Sequence, residues 1–431
     1  MSRFIIRATR TPLAVLDRIG NAEITAKLRL RDPWLRMVKA GARTTYRAAS
    51  EAAKLLAPIR LPRNVPVKSP GFDLTPTDDQ EMLRDTAKKF AADVLRPAAN
   101  AADAAAAPDA TVLTRGHELS LAALSVPEQL GGIAEARSPM TSVLVAEELA
   151  RGDLGLALAL LAPIGVVNAL ADWGTAEQQS RWLPRFTGDK FVPAAIALLE
   201  PHAGFDPMQP RAGAIKCDGG WKLHGAKALV PLAAQAEVLL VAAEVLGKGP
   251  RLFVVERGAR GLEITPTPAM GARAAGTCRI DLHGVRVRDD AMLEGYDHEK
   301  LVDGARVMWS ALAVGVGQAV LDYVVPYCNE RVAFGEPITN RQSVAFAIAN
   351  IAIELDAMRL STWRAASLCD RGAPFGREAA LARRFCATRG MQIGNDGVQL
   401  LGGHGFVKEH PVERWYRDLR AIAIMEGALL A

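Results

Sequence analysis

No run of about 18 or more uninterrupted apolar residues occurs in this 431-residue chain, so the sequence predicts no transmembrane helix. Cysteine is scarce. The five thiols, at Cys217, Cys278, Cys328, Cys369 and Cys386, are scattered, odd in number and without C-x-x-C spacing. That pattern argues for a reducing compartment and against a disulfide frame or zinc site. The seven histidines show no metal-ligand spacing either. No Gly-x-Gly-x-x-Gly follows a strand-like run, so there is no Rossmann fingerprint. A nucleophile elbow and an internal repeat are likewise missing. What is present is ordinary for an ordered globular protein: half the residues are hydrophobic and 23% are charged. The length implies two or three domains.

Charge is spread unevenly. Residues 1–68 hold 15 Lys/Arg against 4 Asp/Glu, a net of +11, and the remainder holds 37 against 43, a net of −6. A basic leader on a mildly acidic body predicts that the leader meets something anionic, such as a membrane surface or an acidic partner. Nucleic acid is not expected, because no recognition motif accompanies the charge. Leu13, Leu16, Ile19 and Ile24 fall on turns of one helix, and a second candidate spans 34–56. Pro58, Pro62, Pro66 and Pro70 then make a stiff linker. Three readings of residues 1–70 stay open: an arm packed on the body or a neighbouring subunit, a peripheral membrane contact, or a cleaved presequence suggested by Arg3, Arg7 and Arg10 ahead of Asp17.

Beyond the leader, which with its linker covers 1–72, the texture changes twice. Thr75-Pro76-Thr77-Asp78-Asp79 reads as a helix N-terminus, and alanine-rich helical sequence continues to about residue 190. Residues 191–300 read as a β domain, with strand-length runs at 194–199, 238–243, 251–255 and 278–282 and a strand entering a turn at 221–225. From 301 to 431 helices return, with Leu312, Val316, Val320 and Val324 spaced four apart. The expected fold class is α+β: an N-terminal helical domain, a middle β domain and a C-terminal helical bundle.

The end of the chain carries the densest set of motifs. Gln399-Leu400-Leu401-Gly402-Gly403-His404-Gly405-Phe406 is followed by Pro411-Val412-Glu413-Arg414, Arg417-Asp418 and Met425-Glu426-Gly427. Glu426 is the only charge in the segment 421–429, and a carboxylate in apolar surroundings suits proton abstraction from carbon. His404 and His410 read as structural. This order of motifs resembles the C-terminal signature of the flavin-dependent acyl-CoA dehydrogenases, and the three-part architecture resembles theirs across 73–431. The resemblance implies that Glu426 is the catalytic base. It also implies that Arg331, Phe334 and Gln342, in a segment similar to the family's R-x-x-F-G…Q element, bind FAD belonging to a neighbouring subunit, and that Gln399, Gly402 and Gly403 approach the cofactor. Asp303 and Arg306 fall where the family holds the CoA moiety.

Other positions depart from the family. Leu199-Glu200-Pro201-His202-Ala203-Gly204-Phe205-Asp206 is similar to its T-E-P-x-A-G-S-D element, but Leu199 and Phe205 stand where hydroxyls are expected. Leu229-Val230-Pro231 replaces a Trp-Ile-Thr that shields the flavin ring, Met425 and Ala428 replace a Tyr and a Thr, and five residues follow Glu426 where the family continues with a helix. The resemblance therefore implies FAD-dependent α,β-dehydrogenation of an acyl-CoA to a trans-2-enoyl-CoA, with the alternative of a non-catalytic or half-site subunit. Implied partners are an acyl-CoA substrate, an electron-transfer flavoprotein, and copies of the chain in a homodimer or homotetramer, or another subunit in a hetero-oligomer. The expected location is cytoplasmic, with peripheral contact at a membrane through the leader.

Overall fold

Thr77 starts the first helix as its context predicts, accepting a hydrogen bond from the Gln80 amide while the Gln80 side chain reaches back to the Thr77 amide. The computed structural model describes residues 74–133 and 137–431; the readings of the leader lie outside the described residues. Helix α1 (Asp78–Phe90) runs through a π-helical turn (Ala91–Leu95) into α2 (Arg96–Ala105), and α3 (Ala110–His117) follows. α4 (Pro139–Gly152) and α5 (Leu154–Trp173) are separated only by Asp153, whose carboxylate caps α5 through the Leu156 amide at 3.0 Å. α6 (Ala176–Phe186) closes the helical part.

The middle part is a seven-stranded mixed sheet. Its strands are β1 (Ala194–Ala197), β2 (Gly213–Cys217), β3 (Gly220–Val230), β4 (Val238–Val245), β5 (Gly249–Glu256), β6 (Leu262–Pro266) and β7 (Cys278–Arg288). They lie in the order β1-β4-β2-β3-β7-β6, with β5 paired to β4. β1 and β2 run parallel to β4, and the other pairs are antiparallel. The turn expected at Gly225 does not form. β3 continues past it to Val230: Gly225 takes φ +125° and stays paired with Leu282 of β7, and register shifts between Leu223 and His224 and between Lys227 and Val230 distort the ladder without ending the strand. β2 and β6 escape the sequence reading since each is only five residues long and mostly unburied, leaving little alternation to detect.

The C-terminal part begins with α7 (His298–Glu330), three residues before the expected position, because Asp297 caps it through the Lys300 amide. Leu312, Val316, Val320 and Val324 are fully buried on it. A two-residue-per-strand hairpin, β8 (Val332–Ala333) and β9 (Glu336–Pro337), leads to α8 (Gln342–Asp370), α9 (Gly376–Leu401) and α10 (Val412–Ile422). Both α5 and α7 contain a stretch long and apolar enough to cross a membrane by composition. Those stretches are 89% and 78% buried inside the protein, so their apolar surface is used by its own core. The earlier criterion missed them because it required uninterrupted apolar residues.

α10 joins all three parts. Arg417 makes two 2.9 Å bonds to the Asp103 carboxylate of α2 and donates to Met270 O beside the sheet. Asp418 accepts from the Ala272 amide at 2.7 Å, and Arg414 lies 3.2 Å from Asp153. The Arg-Asp pair of the C-terminal signature is thus a joint that fixes where the chain re-emerges toward Glu426.

Candidate functional site

After α10 the chain turns sharply. Gly427 holds φ +66°, and a Cβ there would meet the Leu198 Cβ at 2.5 Å, so only glycine lets the tail lie against the end of β1. The Trp309 indole of α7 donates to Gly427 O at 2.9 Å, and the Asn168 amide of α5 donates to Leu430 O at 2.8 Å. These contacts hold Glu426 between α7, α9 and the sheet. Its side chain is 20% exposed, with Oε1 3.6 Å from Arg383 Nη2 and Oε2 buried without a hydrogen-bond partner. Glu426 is alone in charge along the sequence but not in space. Arg383 was invisible as a candidate because the Arg383-Arg384 pair reads as a solvated helix face, and only packing buries the first and exposes the second.

Asp303 and Arg306 sit one helical turn apart on α7, joined by a 2.9 Å bond, on the segment that also presents Trp309. Burial raises the Asp303 carboxyl, and the Arg306 guanidinium pulls it back down, with a net upward shift. Burial likewise lowers the Arg383 guanidinium, opposed by Glu426 and reinforced by the like charge of Arg306. The structure therefore brings Glu426, Arg306 and Asp303 into one electrostatic neighbourhood and adds Arg383.

The other expected residues form a second group. Arg331 is the exposed C-cap of α7, Phe334 is the 95% exposed tip of the β8–β9 hairpin, and Gln342 opens α8. The Arg341 guanidinium lies 5.3 Å over the Phe334 ring. Gln399 ends α9, and Gly402 and Gly403 follow on the surface, where an added Cβ would meet nothing within 4 Å. Tyr327 and Tyr323 bond to His404 at 2.8 Å and His410 at 2.7 Å, so both histidines are structural. Their contacts pull the Gly402–Gly403 loop against the last turns of α7, near Arg331. Arg331, Gln342 and Gln399 have no side-chain hydrogen bond or ion pair among the described residues. From Arg306 to the end of α7 is roughly 36 Å at 1.5 Å per residue, so the two groups lie at opposite ends of that helix.

The region resembling T-E-P-x-A-G-S-D and G-x-K-x-W-I-T is organised around a buried ion pair that the sequence reading did not foresee. Lys227 Nζ, fully buried, lies 2.8 Å from Glu200 Oε1 and donates to Leu198 O at 3.1 Å. Glu200 also accepts from the amides of Arg211 and Ala212. Burial pushes the Lys227 ammonium down to about 8, against the pull of Glu200. Burial alone would raise the Glu200 carboxyl, but Lys227 and the amides outweigh it and leave it lowered. Around this pair, Leu199 and Leu229 are half-buried, Val230 and Pro231 are buried, and Phe205 stands edge-on to His202 at 5.7 Å.

Comparison with known proteins agrees along the whole described body. Residues 77–189, 195–285 and 298–429 match the N-terminal, middle and C-terminal domains of acyl-CoA dehydrogenase. The chain is 33% identical over 363 residues to the mitochondrial short-chain specific acyl-CoA dehydrogenase of Bos taurus, covering 81% of this chain and 87% of that one. It is 32% identical to the short/branched chain specific enzyme of Rattus norvegicus, covering 81% and 83%. The solved structure of butyryl-CoA dehydrogenase from Megasphaera elsdenii superposes with a TM-score of 0.76 at 28% identity, covering 82% of this chain and 96% of that one. A solved FAD complex of PigA superposes at 0.75 with 25% identity, covering 82% and 95%.

Proposed function

The chain belongs to the acyl-CoA dehydrogenase family, and from that premise we propose that it converts an acyl-CoA thioester to a trans-2-enoyl-CoA with Glu426 as the base. It is an oxidoreductase, and FAD is its cofactor. The observation that carries the reading is Glu426 itself. It is a mostly buried carboxylate with one oxygen unpaired, beside Arg383 and held by a Trp309-anchored turn. Removing the α-proton breaks a C–H bond whose electron pair delocalises onto the thioester carbonyl, and the proton forms an O–H on Glu426. When bound, FAD supplies the acceptor for the hydride that leaves the β-carbon. Arg306, oriented by Asp303, is suited to the CoA phosphates, since a guanidinium matches them in charge and shape.

The cofactor fits the C-terminal group of residues. The unpaired Arg331 suits a pyrophosphate, the unpaired Gln342 and Gln399 amides suit its nucleotide portion, and the open Gly402–Gly403 backbone permits close approach. The roughly 36 Å along α7 from Arg306 to its C-terminal end supports the reading that Arg331 and Gln342 serve the FAD of a neighbouring protomer. α8 also exposes Phe346, Ile353 and Leu360 at seven-residue intervals, an apolar stripe that supports a homodimer or homotetramer. Electrons pass on from FAD to an electron-transfer flavoprotein in this scheme.

Glu426→Gln tests the assignment. With butyryl-CoA and a redox dye, turnover falls at least ~100-fold, the low end for losing a general base, while the FAD spectrum is kept. Unchanged dehydrogenation would remove Glu426 from the role. A second reading, a half-site subunit lending Arg331, Gln342 and Gln399 to another polypeptide's flavin, is favoured by Leu199, Phe205, Leu229 and Pro231 on the middle-domain face. Purified alone, a homo-oligomeric enzyme is yellow at 450 nm absorbance, on the order of one FAD per chain, whereas a half-site subunit stays colourless even after FAD is added.

A further inference from the structure

Arg383 is the most costly unexplained side chain in the C-terminal helices. It is a guanidinium with only 8% of its side chain exposed, and its Nε and Nη1 are buried without hydrogen-bond partners. A buried charge that leaves two donors unpaired persists only where something nearby compensates it. Among the described residues, the one carboxylate within ion-pair distance is Glu426, at 3.6 Å. The same Nη2 atom also donates to the carbonyl of Met425, the residue immediately before Glu426. One side chain from α9 therefore grips both the main chain and the carboxylate at the proposed base.

The support behind Arg383 is rigid. At the start of α9, Gly376 packs so closely on α7 that a Cβ would lie 2.3 Å from Asp303 Oδ2. Arg383 follows seven residues later, two turns along and on the same face. The charged and titratable groups bearing on it are few. From α7 come Asp303 and Arg306, bonded to each other; from the tail comes Glu426; on α9 itself lies Cys386, whose thiol burial pushes up to about 12 and keeps neutral.

We propose that Arg383 is the positioning residue of the base: it grips Met425 O and the Glu426 carboxylate at once, and so holds the base in the place from which it removes the α-proton. The proposal rests on the reading of Glu426 as the base. A base acts only from the geometry in which it reaches the proton, and a side chain that holds both the preceding carbonyl and the carboxylate restricts it to that geometry. Once Glu426 has taken the proton it is neutral, and Arg383 keeps its own charge throughout. No electron or proton passes through the guanidinium.

The test isolates proton transfer from hydride transfer. Full-length, FAD-reconstituted protein is incubated in D2O with a 3-thia-acyl-CoA, which has sulfur at the β-position and no β-hydride to lose. Deuterium uptake at the α-carbon is then followed by mass, and the affinity of each protein for the same 3-thia-acyl-CoA is measured separately. Arg383→Gln keeps a donor for Met425 O but removes the charge, and Arg383→Lys keeps the charge. The expected result is exchange slowed at least ~10-fold in Arg383→Gln at an affinity within about twofold of wild type, with most of the rate recovered in Arg383→Lys. Exchange at the wild-type rate in Arg383→Gln overturns the proposal. A loss of affinity that matches the loss of rate, or no recovery in Arg383→Lys, also overturns it, since that is the mark of a merely structural residue. If Arg383→Gln does not fold, Arg383→Met takes its place under the same criteria. Glu426→Gln is run alongside. Exchange at the wild-type rate in that variant shows that the base assignment has failed rather than the positioning alone.

Discussion

Two regions that resemble halves of one flavin site have settled their polar groups in opposite ways. At the C-terminal side, Arg331, Gln342 and Gln399 reach the surface with no side-chain partner among the described residues, and the Gly402–Gly403 backbone lies open. At the middle-domain side, the charged pair Glu200–Lys227 is closed on itself, Val230 and Pro231 are buried, and the half-buried Leu199 and Leu229 present hydrocarbon. Unsatisfied groups on a folded surface keep their capacity to bind something from outside, whereas groups paired in the interior contribute to folding. The first region leaves polar groups free to meet a ligand, as the proposed function requires; the second retains the scaffold of the family's element with fewer contacts to offer.

The largest expected effect breaks the closed side. Lys227→Met leaves the buried Glu200 carboxylate with only backbone amides and the His202 ring as partners, and losing one partner of a buried pair costs about 3–5 kcal/mol. Chemical denaturation reads that loss, and Glu200→Gln/Lys227→Met together recovers much of it, because no unpaired charge remains. A single-variant loss under about 1 kcal/mol would show the pair to be dispensable to the fold.

A smaller effect sharpens the contrast for the cofactor. Arg331→Ala loses a charge-assisted contact of about 1.5–3 kcal/mol, so FAD dissociates roughly 10–100-fold more readily in a fluorescence titration, with thermal stability of the cofactor-free protein unchanged. Phe205→Ser moves in the other direction, improving retention on dialysis by the modest worth of one neutral hydrogen bond, about 0.5–1.5 kcal/mol. If both variants titrate like wild type, neither region meets FAD as the two motifs suggest.

The smallest effect is graded by pH and lies at the joint between the three parts. Burial first, and the neighbouring Asp153 second, push the Asp418 carboxyl up to about 8, well above its ordinary value. The folded protein then holds a proton that the unfolded chain has released, so this contribution is full at low pH and fades as pH rises through about 8. Asp418→Asn mimics the protonated form and keeps an acceptor for the Ala272 amide. Its stability matches wild type only below the ordinary carboxylate range, at about pH 3, and exceeds it at pH 9, as read by thermal melts. A wild-type advantage at pH 9 contradicts the shift.

Much of the molecule was legible in its sequence because the determinants are local. The Thr77 cap, the apolar spacing of Leu312 to Val324 and the breaks at Gly and Pro each act within a few residues. They yielded a helical, then β, then helical order. The motifs around Gln399 and Glu426 were legible as a resemblance to the acyl-CoA dehydrogenase family, to which the chain belongs. The short strands β2 and β6 did not, since their pairing depends on β3, β4 and β7, which lie elsewhere in the chain. Nor did Gly225, where pairing with β7 keeps the strand going. The ion pair between Glu200 and Lys227 joins residues 27 apart, and Arg383 meets a carboxylate more than forty residues later. Sequence alone determined which residue types were available and where helices and strands begin. Only the tertiary structure decided which charges are desolvated and beside what, because burial and Coulomb energy depend on distance in space, and distance along the chain does not encode it.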